Sequence, residues 1–226
     1  EEPRAAKACY TFELFNLWQK INNLKIDDIN MGSRSLSKEE QILLVQLAHE
    51  KTDINYKDLR KVLQLAPEHK FNMLTYGPDG LEEIEKKNKF NYLKAYYDIR
   101  KSLERVNKGR SKQISADQLD KIGEILTLYK NEDRITNELK KIGLMDHDID
   151  ELISLSFRGF SRLSLKAIKN ILPHLQEGNI YSDATTLAGY DFRGHENTIK
   201  QKYLPANNEQ LEDIVNPVVR RYVSQT

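Results

Sequence analysis

Apolar side chains recur at three- and four-residue spacing along most of the chain, the signature of helices with one packed face. Phe15, Trp18, Ile21 and Leu24 form one such stripe, with polar Asn16, Gln19 and Asn23 off it. Leu59, Val62 and Leu63 make a second stripe, Tyr92, Tyr96, Ile99 and Leu103 a third, and Ile135, Leu139 and Ile142 a fourth that ends at Gly143. In the stretch from Leu165, the residues Ile168, Leu172 and Leu175 share one sector, while Lys166, Lys169 and Asn170 project from the other. Start signals agree with the stripes. Thr11 is the expected N-cap of the first long helix, "SKEE" from Ser37 and "SADQ" from Ser115 read as capping boxes, and Asn55 and Ser164 cap two more helices. Near the C-terminus Asn216 and Pro217 open a helix with Val218, Val219 and Tyr222 on one face.

The pattern therefore predicts an all-α chain, one helical region over residues 1–226, with an N-terminal helix at 11–25 and a C-terminal helix at 217–226. At most a minor β-hairpin is expected near residues 70–82, where "GPDG" follows "FNMLTY". "NKGRSKQ" from Asn107 reads as an exposed loop and residues 190–210 as a long connector. Pro173 is expected to kink or end its helix, with Gly178 as the stop.

Composition narrows the function classes. The 226 residues carry 35 Lys and Arg against 34 Asp and Glu, for a net charge of +1, so any nucleic-acid site must be a local patch. No apolar run reaches the length of a membrane span and no signal peptide opens the chain, so a cytoplasmic location is expected. A single cysteine, Cys9, excludes an internal disulfide framework, and its apolar surroundings mark it as core. The missing initiator Met reads as the mark of an excised fragment. "MDHDIDE" lacks the glycine and terminal glutamate of a calcium loop and reads as an acidic helix start. The five histidines show no zinc spacing, and there is no phosphate-binding glycine loop or nucleophile beside a base. No cofactor is expected in this chain.

What stands out is "SFRGFSRLSLKAIKNIL", which holds Arg158, Arg162, Lys166 and Lys169 and no acid. Ser164 caps the helix that follows, so unpaired amides face the same approach as the arginines, an arrangement suited to a phosphate. A solvated helix face is the other reading, and the residues alone leave both open. A second cluster, Arg4, Lys7, Tyr10 and Thr11, gathers basic, aromatic and hydroxyl groups where the first long helix starts, which suits a sugar-phosphate chain or an ordinary cap. Lys86, Lys87 and Lys89, and Lys108, Arg110 and Lys112, read as solvated charge runs.

Three blocks, "RAAKACYTFELFNLWQKINNLKI", "FSRLSLKAIKNILPHLQEGNIYSDA" and "IVNPVVRRYVSQT", resemble in order and spacing the compact type II CRISPR-associated RNA-guided DNA endonucleases. The region resembled is the second, C-terminal part of the helical recognition lobe, with the nuclease domains absent. The resemblance implies a non-catalytic, bacterial, cytoplasmic fragment of a magnesium-dependent nuclease. Its partners would be guide RNA, target DNA and the remaining domains of the parent. It also implies the division of labour known for the family, in which base pairing reads sequence and protein holds the heteroduplex by backbone and shape. On that basis Arg4, Lys7 and Tyr10 are expected near the guide or its duplex, Arg162 at a backbone contact and Tyr181 near another. The rival expectation is a helical module that docks a nuclease domain or a phage anti-CRISPR inhibitor.

Overall fold

The computed structural model describes residues 2–28, 31–77, 80–90 and 92–190. Both the expected C-terminal helix at 217–226 and most of the expected connector at 190–210 lie outside them. Ten α-helices make up most of the described chain: α1 Tyr10–Asn23, α2 Lys38–Glu50, α3 Tyr56–Val62, α4 Leu81–Lys87, α5 Lys94–Val106, α6 Ala116–Leu128, α7 Glu132–Lys141, α8 Asp146–Leu152, α9 Leu165–Gln176 and α10 Tyr181–Leu187. Five short strands accompany them: β1 Arg4–Ala6, β2 Lys25–Asp28, β3 Gly32–Ser35, β4 Lys70–Phe71 and β5 Phe160–Ser164.

α1 is the central element, packed against α9, α6, α2 and α5. The single stripe read from its sequence understates its burial. Leu17, Ile21 and Leu24 enter a cluster with Leu44, Leu59, Phe71 and Phe90, whereas Phe15 and Trp18 enter another with Ile168, Ile171 and Leu175. A third cluster, from Ile99 and Leu103 to Leu139 and Leu152, joins α5 to α6, α7 and α8. Buried polar residues of α1 are each bonded. Thr11 donates its hydroxyl to Asp120 Oδ2 at 2.7 Å, Glu13 accepts the amides of Ala95 and Tyr96 at 2.8 and 2.9 Å, and Asn22 donates to the carbonyls of Leu175 and Asn179. Each group thus replaces its lost water contacts.

Caps follow the sequence closely, with one correction. Ser37 and Ser115 form the expected capping boxes, Asn55 forms another with Asp58, and Ser164 accepts the Ala167 amide. The N-cap of α1 is Cys9, not Thr11; Thr11 lies inside the first turn because its hydroxyl and amide are both drawn to Asp120. α9 continues through Pro173 to Gln176 before Gly178, at φ 99°, stops it.

The strands differ most from expectation. The strand signal near 70–82 is realised only as β4, which pairs with β2, while the residues from Leu81 are helical. β2 and β3 form an antiparallel hairpin, with Ile26 opposite Arg34. The stretch from Asn107 contains a 3-10 turn at Arg110–Gln113. Arg110 is not a solvated charge: its guanidinium forks onto Asp148 at 2.8 and 2.6 Å, and the Asp148 side chain is fully buried.

Candidate nucleic-acid interface

The two basic clusters, more than 150 positions apart in sequence, meet in space. β1 pairs antiparallel with β5, setting Arg4 opposite Ser164 and Ala6 opposite Phe160 across an irregular register. Just beyond the pairing, the Lys7 amide donates to the Gly159 carbonyl at 3.0 Å. Gly159 has φ 91°, and a Cβ there would sit 3.3 Å from Lys7 Cδ, so glycine suits both the backbone and the close approach. In β5 the burial alternates: Phe160 and Arg162 are exposed and Ser161 is buried between them.

The basic residues fall into two groups. Arg4, Lys7, Arg158 and Arg162 are exposed, and none has a side-chain ion pair among the described residues. Lys166 is paired with Glu2 at 2.9 Å. Lys169 is paired with Asp117 and lies 3.5 Å from Asp120 Oδ2. The bond from Lys166 holds the Glu2 carboxyl below the usual carboxylate range, and the bond from Lys169 does the same for Asp117. The excess of positive charge thus belongs to the paired strands more than to the helix face beyond them.

The remaining predicted groups are largely engaged inside the protein. Ser164 accepts the Ala167 amide and donates to Glu2 Oε2 at 2.9 Å. Thr11 is buried against Asp120. Tyr10 is half-buried, its hydroxyl 2.9 Å from His49 Nε2 and its ring 5.2 Å from that of Tyr96. Tyr181, also half-buried, sets its ring edge-on to Phe15 at 6.0 Å. Cys9 is buried and its thiol is pushed up to about 12, by desolvation first and then by Asp120.

A cleft of about 430 Å³ adjoins the patch, with Lys7, Arg158 and Lys94 on its walls. Glu13 lines it too, and burial pushes its carboxyl up to about 7 despite two amide bonds. Exposed Phe160 adds an aromatic face beside the arginines. Free guanidinium and ammonium groups around an exposed ring suit the backbone of a nucleic acid, because guanidinium groups bind phosphate in two-pronged fashion and contacts to phosphate set position without reading bases. The strand pairing that gathers these groups was the part sequence reading missed. The alternation in "FSRLS" was its only local sign, and nothing in "RAA" identifies its partner.

Residues 1–87 match the Cas9 alpha-helical lobe domain. The whole chain aligns with the CRISPR-associated endonuclease Cas9 of Campylobacter jejuni at 28% identity, spanning 21% of that protein. It aligns over 79% of its length with Cas9 of Staphylococcus aureus at 30% identity, spanning 16% of it. The chain therefore covers about a fifth of its curated relatives. Its fold resembles that of Campylobacter jejuni Cas9 solved in complex with sgRNA and target DNA, with TM-score 0.69 and 24% identity over 98% of the chain and 26% of that structure. It also resembles Streptococcus thermophilus Cas9 in complex with the GGAA PAM, with TM-score 0.66 and 22% identity over 100% of the chain and 20% of that structure. Residues 1–87 thus match the Cas9 alpha-helical lobe domain, and the chain as a whole is similar to one stretch of several Cas9 proteins, consistent with a recognition-lobe segment.

Proposed function

We propose that this chain holds a guide RNA:target DNA heteroduplex by its sugar-phosphate backbone and couples that duplex to activation of nuclease domains in a parent endonuclease. The observation that carries the reading is the convergence of Arg4, Lys7, Arg158 and Arg162, exposed and without ion pairs among the described residues, on the β1–β5 pairing. The Cas9 of Campylobacter jejuni, to which the fold is similar, was solved with sgRNA and target DNA. An A-form heteroduplex hides its major-groove base edges, so contacts fall on phosphates and 2′-hydroxyls. Lys166 and Lys169 are weaker candidates, since an arriving phosphate must displace Glu2 or Asp117. Thr11 and Ser164 act through the fold, holding α6 and α9 in place, and Tyr10 and Tyr181 present only part of each ring.

In this reading cutting, and the magnesium it would use, are the work of nuclease domains of the parent endonuclease. The test uses the full chain and two RNA:DNA duplexes of unrelated sequence. Arg158→Ala with Arg162→Ala is expected to weaken both duplexes by a similar factor while circular dichroism stays unchanged. Loss for one sequence alone would show base readout, and unchanged affinity for both would remove the phosphate role.

A further inference from the structure

α5 presents a second surface of defined chemistry, which meets the cleft beside the β1–β5 patch at Lys94 and Asp98. Lys94, Tyr97, Asp98 and Lys101 follow one another at helical spacing on a single face. That face walls a cleft of about 470 Å³, whose opposite side is the end of α2 and the segment after it. Ala48, Ile54 and Leu93, all nearly inaccessible, supply an apolar lining, and Tyr92 adds a second ring.

The charges in the cleft are unequal. Lys94 and Lys101 are exposed without a carboxylate partner among the described residues, and lie about 10 Å apart along the helix at about 1.5 Å per residue. Lys51 at the rim is paired with Asp58 at 2.5 Å, and Asp98 is the one acid in the lining. The Tyr97 hydroxyl is buried with no hydrogen-bond partner among the described residues. Arg100 lies 6.0 Å from that ring's centre, and the Tyr96 ring meets it edge-on at 5.8 Å.

The geometry points to a binding site for an unpaired nucleotide, its base against the tyrosines and apolar lining and its flanking phosphates on Lys94 and Lys101. The volume suits a ligand of that size, since small-molecule sites run from about 300 to 1,000 Å³. A ring pocket between cations selects an unstacked base over a paired one, because in a duplex the base faces are already covered, and it tolerates any base because each has a π-face. The site extends the nucleic-acid reading above from paired to unpaired strand; it uses none of Arg4, Lys7, Arg158 and Arg162, and Lys94 and Asp98 line both clefts.

The experiment titrates the full chain into a short single-stranded RNA carrying 2-aminopurine and, separately, into a blunt RNA:DNA duplex. Lys101→Ala, which leaves the cleft beside the β1–β5 patch untouched, is expected to weaken the single strand about fivefold and the duplex by less than about twofold. Tyr97→Leu is expected to abolish the 2-aminopurine quenching that the wild type and Tyr97→Phe both give. A folded lysine variant that binds single strand like wild type overturns the site, as does equal weakening of both probes or the absence of quenching in the wild type. Wild-type binding of the single strand without any binding of the duplex would instead sink the heteroduplex reading and leave this site standing.

Discussion

Gly123 sits where α6 passes the turn into α1, and a Cβ added there would lie 2.1 Å from the Ala8 carbonyl oxygen and 2.9 Å from the Cys9 nitrogen. Backbone cannot yield as a side chain can, so Gly123→Ala is expected to destabilise the fold by about 2 kcal/mol or more, read as a shift in the urea midpoint. Glu13 gives a prediction in pH. Its carboxyl titrates near 4.5 when unfolded and near about 7 in the fold, where burial opposes the charge. Between those values the folded state keeps a proton that the unfolded state has lost, so this group makes stability fall as pH rises, by roughly 3 kcal/mol in all, and then level off. Glu13→Gln is expected to remove that downward slope from urea midpoints measured across the window; an identical slope in the variant would rule out Glu13 as its source. Neither feature was visible in the sequence. A glycine inside a helix and a glutamate on its polar side look ordinary until the neighbouring chain is placed against them.

Among the elements, the helices were legible because their signals are local. Ser37, Asn55, Ser115 and Ser164 each cap a helix whose amides lie within three residues. The strands were not legible, because pairing β1 with β5 depends on residues far apart and the strands themselves are three and five residues long. Arg110 marks the same boundary. Its neighbours Lys108 and Lys112 make it look like part of an exposed run, yet it closes α8 against the start of the 3-10 turn through Asp148, whose oxygen also accepts the Met145 amide. Breaking such a pair from one side leaves a buried charge, so Arg110→Ala is expected to cost about 3 kcal/mol or more. A shift in the thermal midpoint, only partly restored by Arg110→Lys, which returns the charge but not the two-pronged contact, would check it; no shift would show that the pair is not structural.

At the scale of the whole chain, a net charge of +1 carries no general attraction for nucleic acid, and binding depends on where the charges stand. Much of the candidate site was named from sequence, since Arg4, Lys7, Arg158 and Arg162 belong to the two basic clusters; Lys94 on the cleft wall was not named. Their convergence and the neutralisation of Lys166 and Lys169 by Glu2 and Asp117 were not, because both are settled by long-range contacts. Each free cation that meets a phosphate releases condensed counterions, which makes the salt dependence of affinity a count of such contacts. The most direct measurement is therefore the dissociation constant of the full chain for an RNA:DNA heteroduplex across a series of salt concentrations, compared with Arg158→Ala and Arg162→Ala together. The account predicts a linear fall of log affinity with log salt in the wild type and a slope shallower by about two units in the folded double variant. An unchanged slope with unchanged affinity would contradict it and return the paired strands to a solvated surface.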